Sequence, residues 1–304
     1  MLTRQGRADY TVMGHHRTTV YQPCMQNQTK SAPRPPGTVP ATRGWRRLLR
    51  SPLFDIFQFL LLIALAAWFF TESFGSSGYT WHWGQVPGYL LSRDAHGLHA
   101  GPLLKGLAVT LQISAVSLLF AFVVGLVAAL LRLSDSFVGR SAARLYLEIV
   151  RNTPLLIQIF FIYFVLGPAL GLNRFPSAVL ALSLFEGAYA SEIIRAGITG
   201  LPRGQWEASY SLGLSVADTY RFIVLPQAIR RTLPPLTGQA VSLVKDSALV
   251  STIAIYDLTM QAQAIIAETF LTFEIWFTVA LLYLAVTLSL SLFATFLERR
   301  FRPA

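Results

Sequence analysis

Six apolar runs alternate with polar stretches along the chain: residues 53–70, 103–131, 154–172, 177–194, 233–255 and 275–297. The shortest are long enough to cross a bilayer, because eighteen residues at 1.5 Å each reach about 27 Å against a hydrocarbon core of about 30 Å. The last run carries no charge, whereas the fifth is the least hydrophobic and holds Lys245 and Asp246. The pattern predicts an all-α polytopic membrane helix bundle of about six transmembrane helices. Between the first two runs lies a polar loop with Trp81, Trp83 and Tyr89, residues suited to a membrane interface. Residues 1–52 show no period and hold nine Lys or Arg and six prolines, which predicts a disordered basic tail. Met13 and Met25 are alternative starts within it.

Composition agrees. Charged residues make up 13% of the chain, against about 25% in soluble domains. The net charge of +10 raises the question of nucleic acid, and its distribution answers it. Basic residues cluster in the tail, at Arg132, Arg140, Arg144 and Arg151, across Arg195 to Arg231, and at Arg299, Arg300 and Arg302. The intervening loops hold only Arg93 and Arg174. The positive-inside rule then places both termini and the segment around residues 200–226 in the cytoplasm, and nucleic acid is not an expected partner. With a single cysteine, Cys24, the chain has no internal disulfide and no cysteine metal cluster. No metal site is expected, and the five histidines lie outside the spans. The chain has no Walker-type phosphate loop, HExxH or GxSxG motif, so neither ATP binding by that device nor those hydrolase chemistries are encoded here.

The stretch QWEASYSLGLSVADTYRFIVLPQ (205–227) is too polar to enter a membrane. Residues 203–212 read as a short helix closed by Gly213 in a left-handed cap. Ser215 with Asp218 three residues on reads as the capping box of a second helix, and Pro226 reads as its stop. Trp206, Tyr210, Leu214, Tyr220 and Phe222 supply exposed apolar bulk. Such a helix–break–helix suits either a groove on another protein or the membrane surface.

The pattern Glu207-Ala208-Ser209, then Gly213, then Ile223-Val224-Leu225-Pro226 resembles the EAA loop of bacterial ABC importer membrane subunits. YLEIVRNTPLLIQIFFIYF, GAYASEIIRAGI, LPRGQWEA and LVKDSALVS narrow the resemblance to the polar amino acid permeases. It covers roughly residues 100–300. The resemblance implies a type I importer permease core at 100–298, with a coupling loop at 203–226 that seats in an ATP-binding subunit through Glu207, Ala208, Ser209, Gly213, Leu225 and Pro226. Ser209 stands where the family usually has Ala. The helix at 53–72 and the basic tail are additions to that pattern. Two ATP-binding subunits, a second permease (this chain or a homologue), an extracytoplasmic amino acid-binding protein and membrane lipid are the implied partners. ATP and Mg belong to the partner subunit, and this chain is not itself an enzyme. The implied location is the bacterial inner membrane. A stand-alone ion-coupled carrier is the alternative, but it leaves the 207–226 stretch without a purpose and would often show inverted repeats.

Polar groups at membrane depth are costly and usually face a cavity or each other. Glu186 is the candidate to hold a substrate ammonium, with Gln112, Gln158, Lys245 and Asp246 as further pathway residues. Glu192 and Arg195, three apart, are expected to pair on one helix face. Arg151, Asn152 and Thr153 stand before Pro154 as cap or gate residues.

Overall fold

The computed structural model describes residues 52–76, 78–94 and 97–301. The basic tail expected at 1–52 lies outside them except for Pro52. The chain divides into two compact units, residues 1–79 and 80–304.

In the first unit, helix α1 (Pro52–Ser76) carries an apolar stretch, Phe54–Phe69. Its large side chains are exposed on every side, including Ile56, Leu60, Leu62 and Phe69. A helix that is apolar all round suits a membrane span.

The second unit starts with a short helix α2 (Val86–Leu90) and an antiparallel hairpin, β1 (Leu91–Asp94) with β2 (Gly97–Ala100). This hairpin sits in the segment expected to be loop. The helices α3 (Pro102–Leu133), α4 (Phe137–Arg151), α5 (Leu155–Leu170) and α6 (Arg174–Thr199) follow. Beyond them come α7 (Arg203–Ser211), the long run α8 (Val216–Ile253), α9 (Leu258–Thr269) and α10 (Thr272–Phe301). Among the described residues α3, α6 and α10 are each long and apolar enough to span alone, and the bent pairs α4–α5 and α8–α9 bring the number to five. α1 adds a shorter apolar stretch, Phe54–Phe69.

α3 and α6 form the spine of the unit, and small residues let them approach closely. A Cβ on Gly187 would lie 2.9 Å from Val124 Cγ1, and one on Gly125 would lie 2.8 Å from Ala190 Cβ. One turn from Gly187, the Ser183 hydroxyl donates across the interface to the Ser117 carbonyl at 3.2 Å. Ile113, Ile159, Leu182 and Leu243 build the main core where α3, α5, α6 and α8 meet.

The third apolar run does not continue from a simple loop. α4 is an amphipathic helix, capped by Ser136, whose Oγ accepts from Gly139 N at 3.1 Å. Ala143, Leu147 and Val150 face the core, while Phe137, Leu145 and Ile149 face outward. α5 then leaves at 108° to α4. Pro154 has no N–H to continue the α4 ladder, and the Gln158 amide ties the corner by donating to the carbonyls of Val150 (2.8 Å) and Thr153 (3.1 Å).

Candidate coupling loop and translocation cavity

α7 closes as its sequence dictates. Gly213 has φ +77°, its N–H donates to Tyr210 O (3.0 Å), and Leu214 N–H reaches Ser209 O (3.1 Å). These two bonds form a Schellman cap. Ser215 then caps α8, accepting from Asp218 N at 3.1 Å. The reciprocal bond runs from the Ser215 hydroxyl to Asp218 Oδ2 at 2.6 Å. Ser209 is fully buried and donates to Gln205 O at 2.6 Å, so this position accepts only a small side chain.

Two expectations for this stretch are corrected. Pro226 does not stop the helix; it lies in the first turn of Leu225–Asp246, continuous with the helix before it. The run tolerates proline because residues 219–224 widen into a π turn, and Leu225 N–H reaches back five residues to Tyr220 O. The widened register absorbs the N–H that Pro226 lacks. The apolar bulk is also divided differently. Trp206 and Tyr220 turn toward each other edge-on at 5.3 Å and pack on Leu201, Val224 and Ala228. Leu214 is half-buried. The exposed apolar residues are Tyr210, Leu212, Val216 and Phe222, with Leu212 at 79%. Glu207 and Ala208 are exposed beside them, as are Leu225 and Pro226.

The helical hairpin formed by α7 and the start of α8 is fastened to the spine. Its inner face joins Ala129 of α3 and Ile194 and Ile198 of α6 in one apolar cluster. The Gln227 amide donates to Gln205 Oε1 (3.1 Å), and Arg231 donates to Gly200 O (2.8 Å). The inner face of this segment thus contacts α3, α6 and α8.

Between α3, α6 and α8 lies a cavity of about 430 Å³, walled by apolar side chains including Leu118, Phe122 and Leu236. Glu186 and Gln239 project into it. Glu186 is buried and accepts a 2.5 Å hydrogen bond from Gln239 Nε2, while its Oε1 has no hydrogen-bond partner among the described residues. Asp246, two turns beyond Gln239, lies within electrostatic reach of Glu186. Glu186 thus sets a buried carboxyl group with one unused oxygen in a mostly apolar wall, an arrangement that is costly at membrane depth and usually faces a cavity.

The remaining residues singled out in the sequence are distributed. Lys245 and Gln112 are exposed on the single chain, and Gln158 fastens the α4–α5 corner. Glu192 is a hub. It accepts from Arg132, from Arg151 at 3.4 Å, and from both Nε (3.2 Å) and Nη2 (3.0 Å) of Arg195. Asn152 and Thr153 donate to Glu148 O and Ile149 O, closing the end of α4. Gln239 and Arg132 were not expected from the sequence. Gln239 carried a signal, its seven-residue spacing from Asp246 on one helix face; Arg132 reads as one more basic residue at a helix end.

The family model for the binding-protein-dependent transport system inner membrane component matches residues 121–303. The glutamine transport system permease protein GlnP of Escherichia coli (strain K12) is 39% identical over 203 residues, covering 66% of this chain and 93% of that protein. The L-cystine transport system permease protein TcyB of Bacillus subtilis (strain 168) is 40% identical, covering 66% and 86%. A solved amino acid ABC transporter with histidines superposes with a TM-score of 0.62 at 37% identity, over 66% of this chain and 94% of that one. The matches run over nearly the whole length of these relatives, and the chain belongs to the family of binding-protein-dependent transport system inner membrane components.

Proposed function

We propose that this chain moves a polar amino acid inward, powered by ATP that a separate ATP-binding subunit binds with Mg and hydrolyses. The observation that carries the reading is the rigid hairpin, whose exposed face (Tyr210, Leu212, Val216, Phe222) stands clear of the bundle while its inner face packs on α3, α6 and α8. A membrane-surface helix needs no such attachment. Closure of two ATP-binding subunits pushes the hairpins, and the spine helices change the access of the cavity; the two states differ in contacts at both places, as coupling requires. A second permease, this chain or a homologue, completes the pathway, and an extracytoplasmic binding protein delivers the amino acid. The distribution of basic residues supports a cytoplasmic position for both termini and the hairpin.

Glu186, with Gln239 and Asp246, receives the ammonium group or a cationic side chain. Uptake by the reconstituted importer tests this role: Glu186→Gln raises the half-saturation for cationic amino acids by about tenfold, the worth of one charge-assisted hydrogen bond, and leaves acidic ones nearly unchanged. An equal change for both classes refutes the role of Glu186 in substrate recognition.

A further inference from the structure

A second pocket, of about 300 Å³, opens at the hairpin end of the bundle between α3, α4 and α6. Unlike the Glu186 cavity its wall is chiefly polar. Three guanidinium groups line it, those of Arg132, Arg144 and Arg151, with Tyr189 and the carboxylates of Glu148 and Glu192.

The pairing within it is uneven. Glu192 is saturated by Arg132 and by the two-bond fork of Arg195. Glu148 accepts from the Asn152 amide at 3.0 Å and forms no ion pair among the described residues. Arg144 likewise forms no ion pair or hydrogen bond there, and Arg151 reaches Glu192 only at 3.4 Å while lying over the Tyr189 ring at 5.7 Å. Four guanidiniums counting Arg195 face two carboxylates, so positive charge is left over, and it rests on the two arginines with the fewest commitments. Arg144 and Arg151 are both exposed, and both line the pocket.

We infer that this pocket binds a phosphate-type oxyanion, held by the forks of Arg144 and Arg151 with Arg132 behind them. Guanidinium forks match phosphate oxygens in pairs, and basic pockets between membrane helices on the cytoplasmic side recognise anionic headgroups. The same oxyanion is presented by an anionic phospholipid headgroup or by a soluble phosphate. The pocket adjoins the Arg151–Pro154 corner and the Glu192 hub, so occupancy stiffens the junction between α4 and the spine.

The test uses the intact permease complex in two arms. In the first, the complex is extracted from bilayers of phosphatidylcholine mixed with phosphatidylglycerol, and retained lipid is counted by native mass spectrometry. In the second, inorganic phosphate is titrated into the complex in lipid-free neutral detergent and thermal stability is followed. Arg144→Gln, which removes no bond of the fold, and the pair R144Q/R151Q are compared with R299Q/R300Q, a basic pair on α10 outside the pocket. Retention of phosphatidylglycerol that falls about fivefold in the single variant and roughly thirtyfold in the double one, but not in the α10 control, supports a lipid headgroup. Stabilisation by phosphate that the pocket variants abolish supports a soluble ligand. Wild-type and pocket variants that behave alike in both arms overturn the inference.

Discussion

The coupling hairpin and the Glu186 cavity are built by opposite means. The hairpin is local: a Schellman cap at Gly213, a side-chain cap at Ser215, and one aromatic pair, Trp206 with Tyr220, within 25 residues. The cavity draws Leu118 from α3, Glu186 from α6 and Gln239 from α8, segments separated by scores of residues. The hairpin exposes its apolar side chains, whereas the cavity encloses a carboxylate in an apolar wall. The hairpin is held rigid by short-range bonds, whereas the cavity is assembled where long helices meet.

Substitutions can break this contrast on either side. The largest effect is expected for Gly213→Pro. Proline is fixed near φ −65°, cannot adopt the +77° observed, and removes the N–H bound to Tyr210. Uptake falls to background while the helices still insert, as measured by transport and by protease protection of the same preparation. Gly187→Leu attacks the other region. Its first side-chain carbon meets Val124 at 2.9 Å, and overpacking of this kind costs about 1–3 kcal/mol. The melting temperature of the detergent-solubilised complex drops, and the Glu186 cavity loses its shape with it. A smaller effect is expected for Ser215→Ala, which deletes a helix cap worth about 1 kcal/mol. Hydrogen exchange is faster at the Asp218 amide, with exchange in the α3–α6 spine unchanged; equal acceleration in both would mean that the hairpin is not an independent local unit.

The same contrast explains what the sequence disclosed. α3, α6 and α10 are legible because each is a long apolar run, and the hairpin is legible because Gly213 and Ser215 act on their immediate neighbours. The α4 helix was hidden by its three-sided pattern, with Leu147 inward, Leu145 outward and Arg144 toward a pocket. Pro226 was misread as a stop, since the π turn that accommodates it depends on packing of Thr219 and Val224, both buried. Glu186 stood out as a charge in an apolar run, but its partner Gln239 belongs to a helix that only the tertiary fold brings near.

The central claim is that the exposed face of the hairpin seats in the ATP-binding subunit. The most direct measurement is co-purification of that subunit with this chain from native membranes in mild detergent, comparing wild type with Leu212→Asp. Leu212 is 79% exposed, so the change leaves the fold of the permease intact and places a charge in the contact. The account predicts that wild type retains the ATP-binding subunit and that the variant loses most of it while remaining folded and membrane-inserted. Undiminished retention by Leu212→Asp would contradict the account and return the hairpin to the membrane surface.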